Sequence, residues 1–574
     1  MTSALAHDAV ATGQSRRTRW GPDLAAVAVL LLLWAALWAP RLRGPIDLRW
    51  DASAYYILGT SLAEGRGYRL LNEPGAIEAV QYPPLLPLIV AAHQRVLGTS
   101  DYLRVAAGLR LAYCALSALY LLTVYLVARR FLPPPYALIV GTLTGLSFSA
   151  FLSPSDSLYA ELPFGLVSML FFVCVFERRR PGLAPASGVL AGAAYLLRTA
   201  GIALLAAWVA ESLLRGRRRE AAVRLLIAAL PVLAWQVHVA RVTRSDDYRH
   251  PTYAYQRAPY YYANVTYAEN GGLRDPFRPE LGRRELKDLP VRIAENLRAV
   301  PAALAESAWI PSNSIDWFRP KVREHLGLEL PPGPALVWVL TAIGGVMAVG
   351  ALRFAARGEW LLALYFGATV GLICLTPWPG QFWRYLAALA PITLLFFVDT
   401  LLAAGRRLLR TDTPLGRTAG SLVVAAPLAG MLLLGTAVAS EMLRHCPTVT
   451  THDPRGGSVT YRPLIYPADW PPLDAAFEWV RRHAAPKAVI ASAVPHMSYL
   501  RTGHPSVLPP FELRPDSALR LMDQIPVSYV VLDAFDEPGV SRRYAEPAVE
   551  SRPDRWRLAY TAPDGRARVY ERTR

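Results

Sequence analysis

Lysine is almost missing from this chain of 574 residues. Only Lys287, Lys321 and Lys487 occur among its 61 basic residues, so arginine carries nearly all of the positive charge. Charged residues as a whole are also scarce: they make up 18% of the chain, against about 25% in an ordinary soluble domain. Hydrophobic residues reach 53% and lie in long blocks. This balance argues against a soluble protein and indicates a membrane protein.

Cysteines and familiar catalytic motifs are few as well. The four cysteines show no spacing typical of a disulfide framework or a metal site, and three of them lie in apolar blocks. The sequence has no Gly-x-Gly-x-x-Gly, phosphate-binding loop or His-Glu-x-x-His motif. The net charge of +17 would suit nucleic acid, but the arginines cluster at the ends of apolar blocks, where they set membrane orientation. We therefore expect no nucleic-acid partner.

Apolar runs predict about eleven membrane-spanning helices, because most of them approach the ~20 residues that crossing a bilayer requires. They lie at 22–40, 105–128, 135–152, 160–176, 183–197, 200–214, 224–242, 334–352, 359–376, 384–403 and 419–440. With a cytoplasmic N-terminus, the short Arg-rich loops all fall on the cytoplasmic side, as the positive-inside rule demands. The odd count then places 41–104, 243–333 and 441–574 outside. We expect the first run to be a retained anchor, because no cleavage site follows it.

The predicted fold class is therefore a polytopic α-helical membrane protein with a small C-terminal α/β domain. The membrane domain comprises 1–440 and carries the two outer loops, 41–104 and 243–333, while 441–574 forms the second domain. The richness in arginine, alanine and proline suggests a bacterium with a GC-rich genome. We thus expect a multi-pass protein of the inner membrane whose C-terminal domain faces the periplasm or the cell exterior.

Several shorter elements can be predicted in the outer segments. In the first outer loop, 51–64 has a helical pattern, and 82–97 suits a helix that lies in the membrane interface. In the C-terminal domain, 473–483 has a helical period. The strands of that domain are predicted at 488–492, 528–533, 556–561 and 567–571.

Four charged residues fall at the predicted outer face, and each has a plain alternative explanation. Asp51 opens the 51–64 helix, so its carboxylate could simply cap that helix. Glu161 begins an apolar helix, where an acid is either functional or a favourable partner of the helix dipole. Arg198 lies between two apolar runs too short to span, where it either snorkels to the surface or binds an anionic headgroup. Arg384 is either an interface anchor or part of the same site.

Taken together, these residues favour a site, because acids and arginines from distant segments meet on one side of the membrane. Asp156, in the turn before Glu161, is a further candidate. Such a set suits an enzyme that acts on a membrane-borne phosphate, since guanidinium groups match phosphate geometry. The second outer loop adds tyrosines that form either an aromatic belt or the wall of a binding site: Tyr253, Tyr255, Tyr260, Tyr261, Tyr262 and Tyr267.

At these residues the chain resembles the GT-C superfamily of polyprenyl-phosphate-sugar-dependent glycosyltransferases, which includes protein O-mannosyltransferases and lipid A aminoarabinose transferases. The matching segments occur in family order across the first 400 residues: Asp51 with Tyr55, Leu-Ala-Glu-Gly-Arg-Gly-Tyr at 62–68, Tyr82-Pro83-Pro84-Leu85 with Pro87, Ala160-Glu161-Leu162-Pro163, Leu197-Arg198-Thr199 with Gly201, and Arg384-Tyr385 with Pro391. Phe477-Glu478-Trp479-Val480 and Tyr529-Val530-Val531 also look like the outer domain of bacterial members.

The resemblance implies transfer of one sugar from a polyprenyl phosphate to a hydroxyl of a protein, lipid or glycan acceptor, with inversion and without a covalent intermediate. Arginine would stabilise the departing phosphate, and a carboxylate near the acceptor would take its proton. The expected roles are catalysis by Asp51 and Glu161, binding of the lipid phosphate by Arg198, Arg384 and Tyr385, and binding of the substrate by Tyr55 and Tyr82.

Asp51 has two alternative roles, as a ligand of a metal ion or as the catalytic base. Asp51 and Glu161 could hold a divalent ion, Mg²⁺ or Mn²⁺, against the phosphate, because both ions prefer oxygen ligands. Many relatives have Asp-Glu where this chain has Asp51-Ala52, so the neighbouring acid that a metal site would use is missing. This difference favours Asp51 as the catalytic base.

Three other functions compete with glycosyl transfer. A polytopic lipid or glycan transporter or flippase would favour inverted repeats and broken helices near the midplane, whereas this sequence shows no repeat. An O-antigen ligase or polymerase would lack the acidic motif of the first loop. A non-catalytic scaffold would not need Asp51 together with Arg198 and Arg384.

Overall fold

A computed structural model describes residues 20–573, apart from 178–182, 252, 258–264, 313–314, 316–318, 321, 325–326, 328, 330–331, 410–412 and 537. Its N-terminal part is helical. The helices of eight residues or more are α1 (Trp20–Trp38), α2 (Asp51–Ala63), α3 (Leu85–Leu97), α4 (Tyr102–Arg129), α5 (Pro134–Leu146), α6 (Glu161–Phe176), α7 (Leu183–Leu197), α8 (Ile202–Leu214), α9 (Arg218–Arg244), α10 (Leu289–Ala308), α11 (Gly333–Ala356), α12 (Trp360–Cys374), α13 (Ala390–Leu409) and α14 (Pro414–Arg444).

Six helices in the described part of the chain are long and apolar enough to cross a membrane: those built on α1, α4, α9, α11, α13 and α14. A seventh span results if α5 and the following helical segment Phe148–Asp156, bent by 69°, count as one. The protein is therefore a multi-pass membrane protein. The count of eleven is not confirmed, although every predicted run coincides with an apolar helix.

The remaining four predicted runs fall on the shorter apolar helices α6, α7, α8 and α12. The longest of these, α6, has 16 residues. At 1.5 Å per residue it is ~24 Å long, less than the ~30 Å of a hydrocarbon core. A straight helix this short cannot reach both membrane interfaces.

Helix α11 packs closely between α10 and α13. A Cβ atom on Gly344 would lie 1.7 Å from the carbonyl oxygen of Pro301 on α10, and one on Gly350 would lie 2.6 Å from Cβ of Phe396 on α13. Only glycine leaves the backbones free to approach this closely. Both small residues therefore fix the spacing of the helices that carry the second half of the membrane domain.

Segment 41–104 forms the elements that its sequence predicts. Helix α2 begins at Asp51 and ends at Ala63, one residue short of the predicted end. Helix α3 has only 13 residues, as expected for the interfacial segment 82–97, and its Gly98 cap adopts a left-handed conformation. The two helices pack against each other over Gly59, where a Cβ atom would lie 2.6 Å from the side chain of Val90.

The C-terminal part contains a five-stranded mixed sheet in the order β4-β3-β5-β7-β6. Its strands are β3 (Val489–Ser492), β4 (Ser506–Val507), β5 (Val527–Leu532), β6 (Trp556–Thr561) and β7 (Arg568–Arg572), and a separate hairpin pairs β1 (Val449–His452) with β2 (Ser458–Tyr461). Its helices of eight residues or more are α15 (Trp470–His483), α16 (Pro495–Thr502) and α17 (Pro515–Gln524). The helix at 473–483 and all four predicted strands are confirmed. Strands β1, β2 and β4 have no counterpart among the strands predicted from the sequence.

A buried ion cluster joins the C-terminal part to the membrane domain. The carboxylate of Asp156 lies 3.0 Å from Nη1 of Arg41 and 2.6 Å from Nη2 of Arg110. Its other oxygen accepts a hydrogen bond of 2.7 Å from the backbone N–H of Leu464. Asp156 thus lies in a contact between the membrane helices and the C-terminal part and has no open face, which separates it from the candidate site described next.

Candidate active site

Arg384 connects two acids from distant parts of the chain. Its Nη2 lies 2.7 Å from Oδ2 of Asp51, and its Nε lies 2.6 Å from Oε1 of Glu161. Nη1 of Arg198 lies 2.5 Å from the same Oε1 of Glu161. The four charged residues singled out in the sequence therefore form one continuous cluster, with two positive and two negative charges.

The four side chains of this cluster differ in how much of their surface is exposed. The side chain of Glu161 is 4% exposed, whereas that of Asp51 is 31% exposed. Arg198 and Arg384 are 18% and 21% exposed. Glu161 is thus the buried anchor that orients both guanidinium groups, while Asp51 and the two arginines keep faces that a substrate can reach.

The ends of short elements place these side chains together. Glu161 is the first residue of α6, and Asp51 is the first residue of α2. Arg198 has an extended backbone, with φ −147°, at the break between α7 and α8. Arg384 belongs to the short helix Phe382–Tyr385 that precedes α13. Every one of these elements therefore starts or stops at the cluster.

Gly201 allows the break beside Arg198. A Cβ atom at this position would lie 2.6 Å from the backbone nitrogen of Tyr195, on the last turn of α7. The chain therefore folds back tightly onto the end of α7 before α8 begins. A larger residue would push Arg198 away from Glu161.

The backbone before Asp51 is strained. Trp50 has φ 57° and ψ −132°, a conformation that non-glycine residues rarely adopt and that costs ~1–3 kcal/mol. Trp50, not Asp51, is the N-cap residue, and it makes no side-chain cap hydrogen bond. The alternative in which the Asp51 carboxylate caps the helix is therefore wrong, because that carboxylate binds Arg384 instead.

Aromatic packing with the C-terminal part holds Trp50 in this conformation. Its ring centroid lies 5.4 Å from that of Trp470 in an edge contact, and 4.9 Å from that of Phe535. The preceding residue, Arg49, donates hydrogen bonds to Asp47 and to the carbonyl of Ile465. The start of α2, and with it Asp51, is thus held from both domains.

Tyrosines surround the cluster. The hydroxyl of Tyr82 donates a hydrogen bond of 3.1 Å to Oδ1 of Asp51, and the ring of Tyr55 packs against that of Tyr82 at 4.9 Å. Tyr385 lies within electrostatic range of Asp51 and of both arginines. Tyr159, which sequence analysis did not single out, lies 4.5 Å below the guanidinium of Arg384. Its only sequence signal is its place two residues before Glu161.

The tyrosines of segment 243–333 lie in different surroundings. Tyr267 begins the short helix Tyr267–Gly271 and is 38% exposed. Tyr255 is buried against the C-terminal part, where its hydroxyl donates to the carbonyl of Leu508. Tyr260, Tyr261 and Tyr262 lie outside the described residues.

His496 is a second residue that the sequence did not reveal. It follows Pro495 at the start of α16, a helix of the C-terminal part that packs on α2. Its Nε2 is buried and has no hydrogen-bond partner. Burial lowers the pKa of the imidazole to about 4, and the carboxylate of Asp51 acts in the opposite direction. A lone histidine after a proline carries no sequence pattern, so only the fold could place it here.

The acids of the cluster do not fit a metal site. No group of three or more His, Cys, Asp or Glu side chains suited to a metal ion occurs among the described residues. Asp51 and Glu161 both direct their oxygens at Arg384, so its guanidinium occupies the space that a bridging cation would need. A divalent ion would have to displace a positive charge that makes two short ion pairs.

No protein-family model matches the chain, and no curated protein matches its sequence. Solved structures do resemble its fold. The oligosaccharyltransferase of Archaeoglobus fulgidus, tethered to an acceptor peptide containing the NVT sequon, matches with a TM-score of 0.53 at 15% identity over 97% of this chain and 74% of that chain. AglB from the same organism, in complex with an inhibitory peptide and a dolichol-phosphate, matches with a TM-score of 0.50 at 15% identity over 96% and 74%.

The chain has the GT-C fold. ArnT from Cupriavidus metallidurans in the apo state gives a TM-score of 0.49 at 14% identity over 96% of this chain and 97% of that chain. The archaeal matches cover nearly the whole chain, so the structural likeness extends over both the membrane helices and the C-terminal sheet. The fold that the resemblance implies is thus confirmed.

Proposed function

We propose that this protein transfers a sugar from a polyprenyl-phosphate donor to an acceptor hydroxyl at the outer face of a bacterial inner membrane. The observation that carries this proposal is the cluster in which Arg384 joins Asp51 to Glu161, with Arg198 on the same acid. It lies at the ends of short apolar helices, where a lipid phosphate would be found. The presence of dolichol-phosphate on AglB, which has the same fold, supports a lipid phosphate as the ligand.

Arg198 and Arg384 are the proposed ligands of the donor phosphate. Both guanidinium groups keep exposed surface while Glu161 holds them in place. Guanidinium donors match phosphate oxygens in pairs, and two such groups stabilise the negative charge that develops as the phosphate leaves. Tyr385, beside them, is assigned to the same phosphate.

Asp51 is the proposed acid on the acceptor side, because it is far more exposed than Glu161. Its charge would favour removal of the proton from the acceptor hydroxyl as that oxygen attacks the sugar. Tyr55 and Tyr82, which lie next to Asp51, are assigned to the sugar. Glu161 contributes to catalysis by positioning the two arginines.

No step of this reaction is assigned to a metal ion, since Arg384 lies between the two acids. Chelation with EDTA is therefore expected to leave turnover unchanged. If chelation abolishes turnover and Mg²⁺ or Mn²⁺ restores it, Asp51 and Glu161 rearrange into a metal site when substrate binds.

The topology belongs to the same proposal. The cluster and the segment 441–574 lie on one side of the helices, as the positive-inside pattern of the loops requires. We assign 1–440 to the membrane domain and 441–574 to a domain outside the cytoplasm. A reporter enzyme fused after residue 574 and active only in the cytoplasm is expected to be silent.

The reaction can be tested with membranes from a deletion strain of the source bacterium, which retain the donor lipids and the unmodified acceptor. Purified protein is added, and released polyprenyl phosphate is measured by mass spectrometry. Wild type should release it, and Asp51→Asn should be ~10²–10⁴-fold slower. Arg406→Ala, on the exposed far end of α13, is the matched control for arginine loss and should retain full turnover.

A flippase gives the opposite result in this assay. It would move the donor across the bilayer without changing its mass, so no polyprenyl phosphate would be released. That outcome, with folded protein, would reject glycosyl transfer.

A further inference from the structure

The imidazole of His496 carries a buried nitrogen that the protein leaves unused. Nε2 has no hydrogen-bond partner, and a buried polar group without a partner costs stability. Such groups are uncommon in folded proteins and call for an explanation, which is often a ligand or a reactive role. Neither the GT-C fold nor the charged cluster accounts for this one.

The face of α16 that carries His496 looks toward the membrane domain. His496, Tyr499 and Leu500 lie three and four residues apart, so they share one face of the helix. Tyr499 and Leu500 pack against the hydrophobic cluster of the membrane helices, whereas Met497 packs into the core behind the sheet. His496 therefore lies on the face of α16 turned toward the membrane domain, in the helix that packs on α2, whose first residue is Asp51.

The acids nearby already have partners. Oδ1 of Asp51 accepts from Tyr82 and Oδ2 binds Arg384, while Oε1 of Glu161 binds both arginines. A carboxylate oxygen has two lone pairs, so these contacts leave the acids some acceptor capacity, but the arginines neutralise their charge. A group that removes a proton needs a free lone pair in its unprotonated form. Because burial keeps the imidazole of His496 neutral, Nε2 offers such a lone pair in the tautomer that is protonated at Nδ1.

We propose that Nε2 of His496 takes the proton of the acceptor hydroxyl in the glycosyl transfer proposed above. The O–H bond breaks as the acceptor oxygen bonds to the anomeric carbon. The bond between that carbon and the phosphate oxygen breaks, and its electron pair leaves with the polyprenyl phosphate. The proton stays on the imidazole, and the negative charge of Asp51 stabilises the imidazolium. Asp51 then acts through His496, and the C-terminal domain supplies a catalytic residue.

The order of events follows from the charges. In the empty site Arg384 neutralises Asp51 at 2.7 Å. A donor phosphate competes for Arg384, so binding of the donor would free the charge of Asp51. The imidazole would then become a stronger base only when a sugar is ready to react.

The test uses the full-length protein in the polyprenyl phosphate release assay. His496→Ala and His496→Gln should both lose ~10²–10⁴-fold in turnover, the usual contribution of a proton-accepting side chain. Added imidazole should restore part of the turnover of His496→Ala but not change His496→Gln, in which the side chain fills the space. His483→Ala, an exposed histidine of the same domain, is the matched control and should behave as wild type.

Binding of undecaprenyl phosphate to the purified variants separates catalysis from structure. Both His496 variants should bind this probe as wild type does. Turnover of His496→Ala and His496→Gln within twofold of wild type would reject His496 as the base and leave the proposed function standing. A joint loss of turnover and probe binding would also reject it, because His496 would then only support the site. If wild type itself releases no polyprenyl phosphate, the proposed function fails.

Discussion

Two ion clusters in this protein are each built on a pair of arginines, and their surroundings are opposite. In the first, which we call the closed cluster, Arg41 and Arg110 bind Asp156, and their side chains are 0%, 0% and 5% exposed. In the second, the open cluster, Arg198 and Arg384 bind Glu161 and Asp51, and three of the four side chains keep accessible surface.

Hydrogen bonds explain the difference. Nε of Arg41 donates to the carbonyl of Leu37, and Arg110 donates from Nε to the carbonyl of Arg41 and from Nη1 to that of Pro45. Main-chain carbonyls thus accept many of the hydrogen bonds that the two arginines of the closed cluster can donate. The closed cluster can only hold the C-terminal part against the membrane helices, whereas the arginines of the open cluster, in the proposed function, can exchange a carboxylate for a phosphate.

Asp156→Asn should have the largest effect on stability. Removal of the acid leaves two buried guanidinium groups without a countercharge, which costs about 3–5 kcal/mol. Asp51→Asn is the matched variant of the open cluster, and since its side chain is partly exposed the loss should stay within about 1 kcal/mol. Melting curves of the detergent-purified proteins compare the two. Equal shifts would show that the clusters do not differ in this way.

His496→Leu should be more stable than wild type, because the imidazole is a buried polar group that lowers the stability of the fold. The folded pKa of His496 is about 4, below the ordinary 6.5, so the unfolded chain binds a proton that the folded one does not. Wild type therefore loses stability as the pH falls from 6.5 toward 4, by up to about 3 kcal/mol, and the leucine variant does not. Melting temperatures of wild type and His496→Leu at pH 7.5 and 5.0 measure the difference in stability between them. This difference should be larger at pH 5.0. A stability difference that does not change with pH would mean that the imidazole is hydrated.

Loss of either arginine of the open cluster should weaken phosphate binding. Arg384→Ala and Arg198→Ala remove charged hydrogen bonds to the phosphate, each worth ~1.5–3 kcal/mol, while lysine at either position restores the charge but not paired donors. Titration with undecaprenyl phosphate measures the affinities. Unchanged affinity in both alanine variants would remove these arginines from the phosphate site, and Arg406→Ala serves as the control.

Substitutions of Trp50 should give the smallest effect, a difference in stability that depends on the local backbone. At its positive φ glycine is relaxed and alanine is strained, so Trp50→Gly should be more stable than Trp50→Ala by about 1 kcal/mol. Both variants lose the contacts with Trp470 and Phe535, so their difference isolates the backbone. Within α2 the order should reverse, with Ala63→Gly less stable than wild type. Alanine more stable than glycine at position 50 would mean that this backbone conformation is not held.

Local patterns were sufficient for much of the fold. Apolar composition predicted where the membrane helices lie, and alternation predicted four strands of the C-terminal sheet within two residues, because both patterns depend on neighbouring residues alone. The number of full spans was not predictable in the same way. The chain bends at Ser147, whose hydroxyl donates to the carbonyl of Ser307, and nothing near Ser147 in the sequence signals that contact.

For the site, the sequence by itself determined which charges had to be explained. Acids and arginines at the ends of apolar runs are costly in lipid, so Asp51, Glu161, Arg198 and Arg384 stood out without any structure. Their partners were decided only by tertiary structure. Arg384 meets Asp51 across 333 positions of the chain, and the same chemistry encloses Asp156 and leaves Asp51 open. Burial and partner choice depend on distant segments packing together, which is also why His496 could not be found from the residues around it.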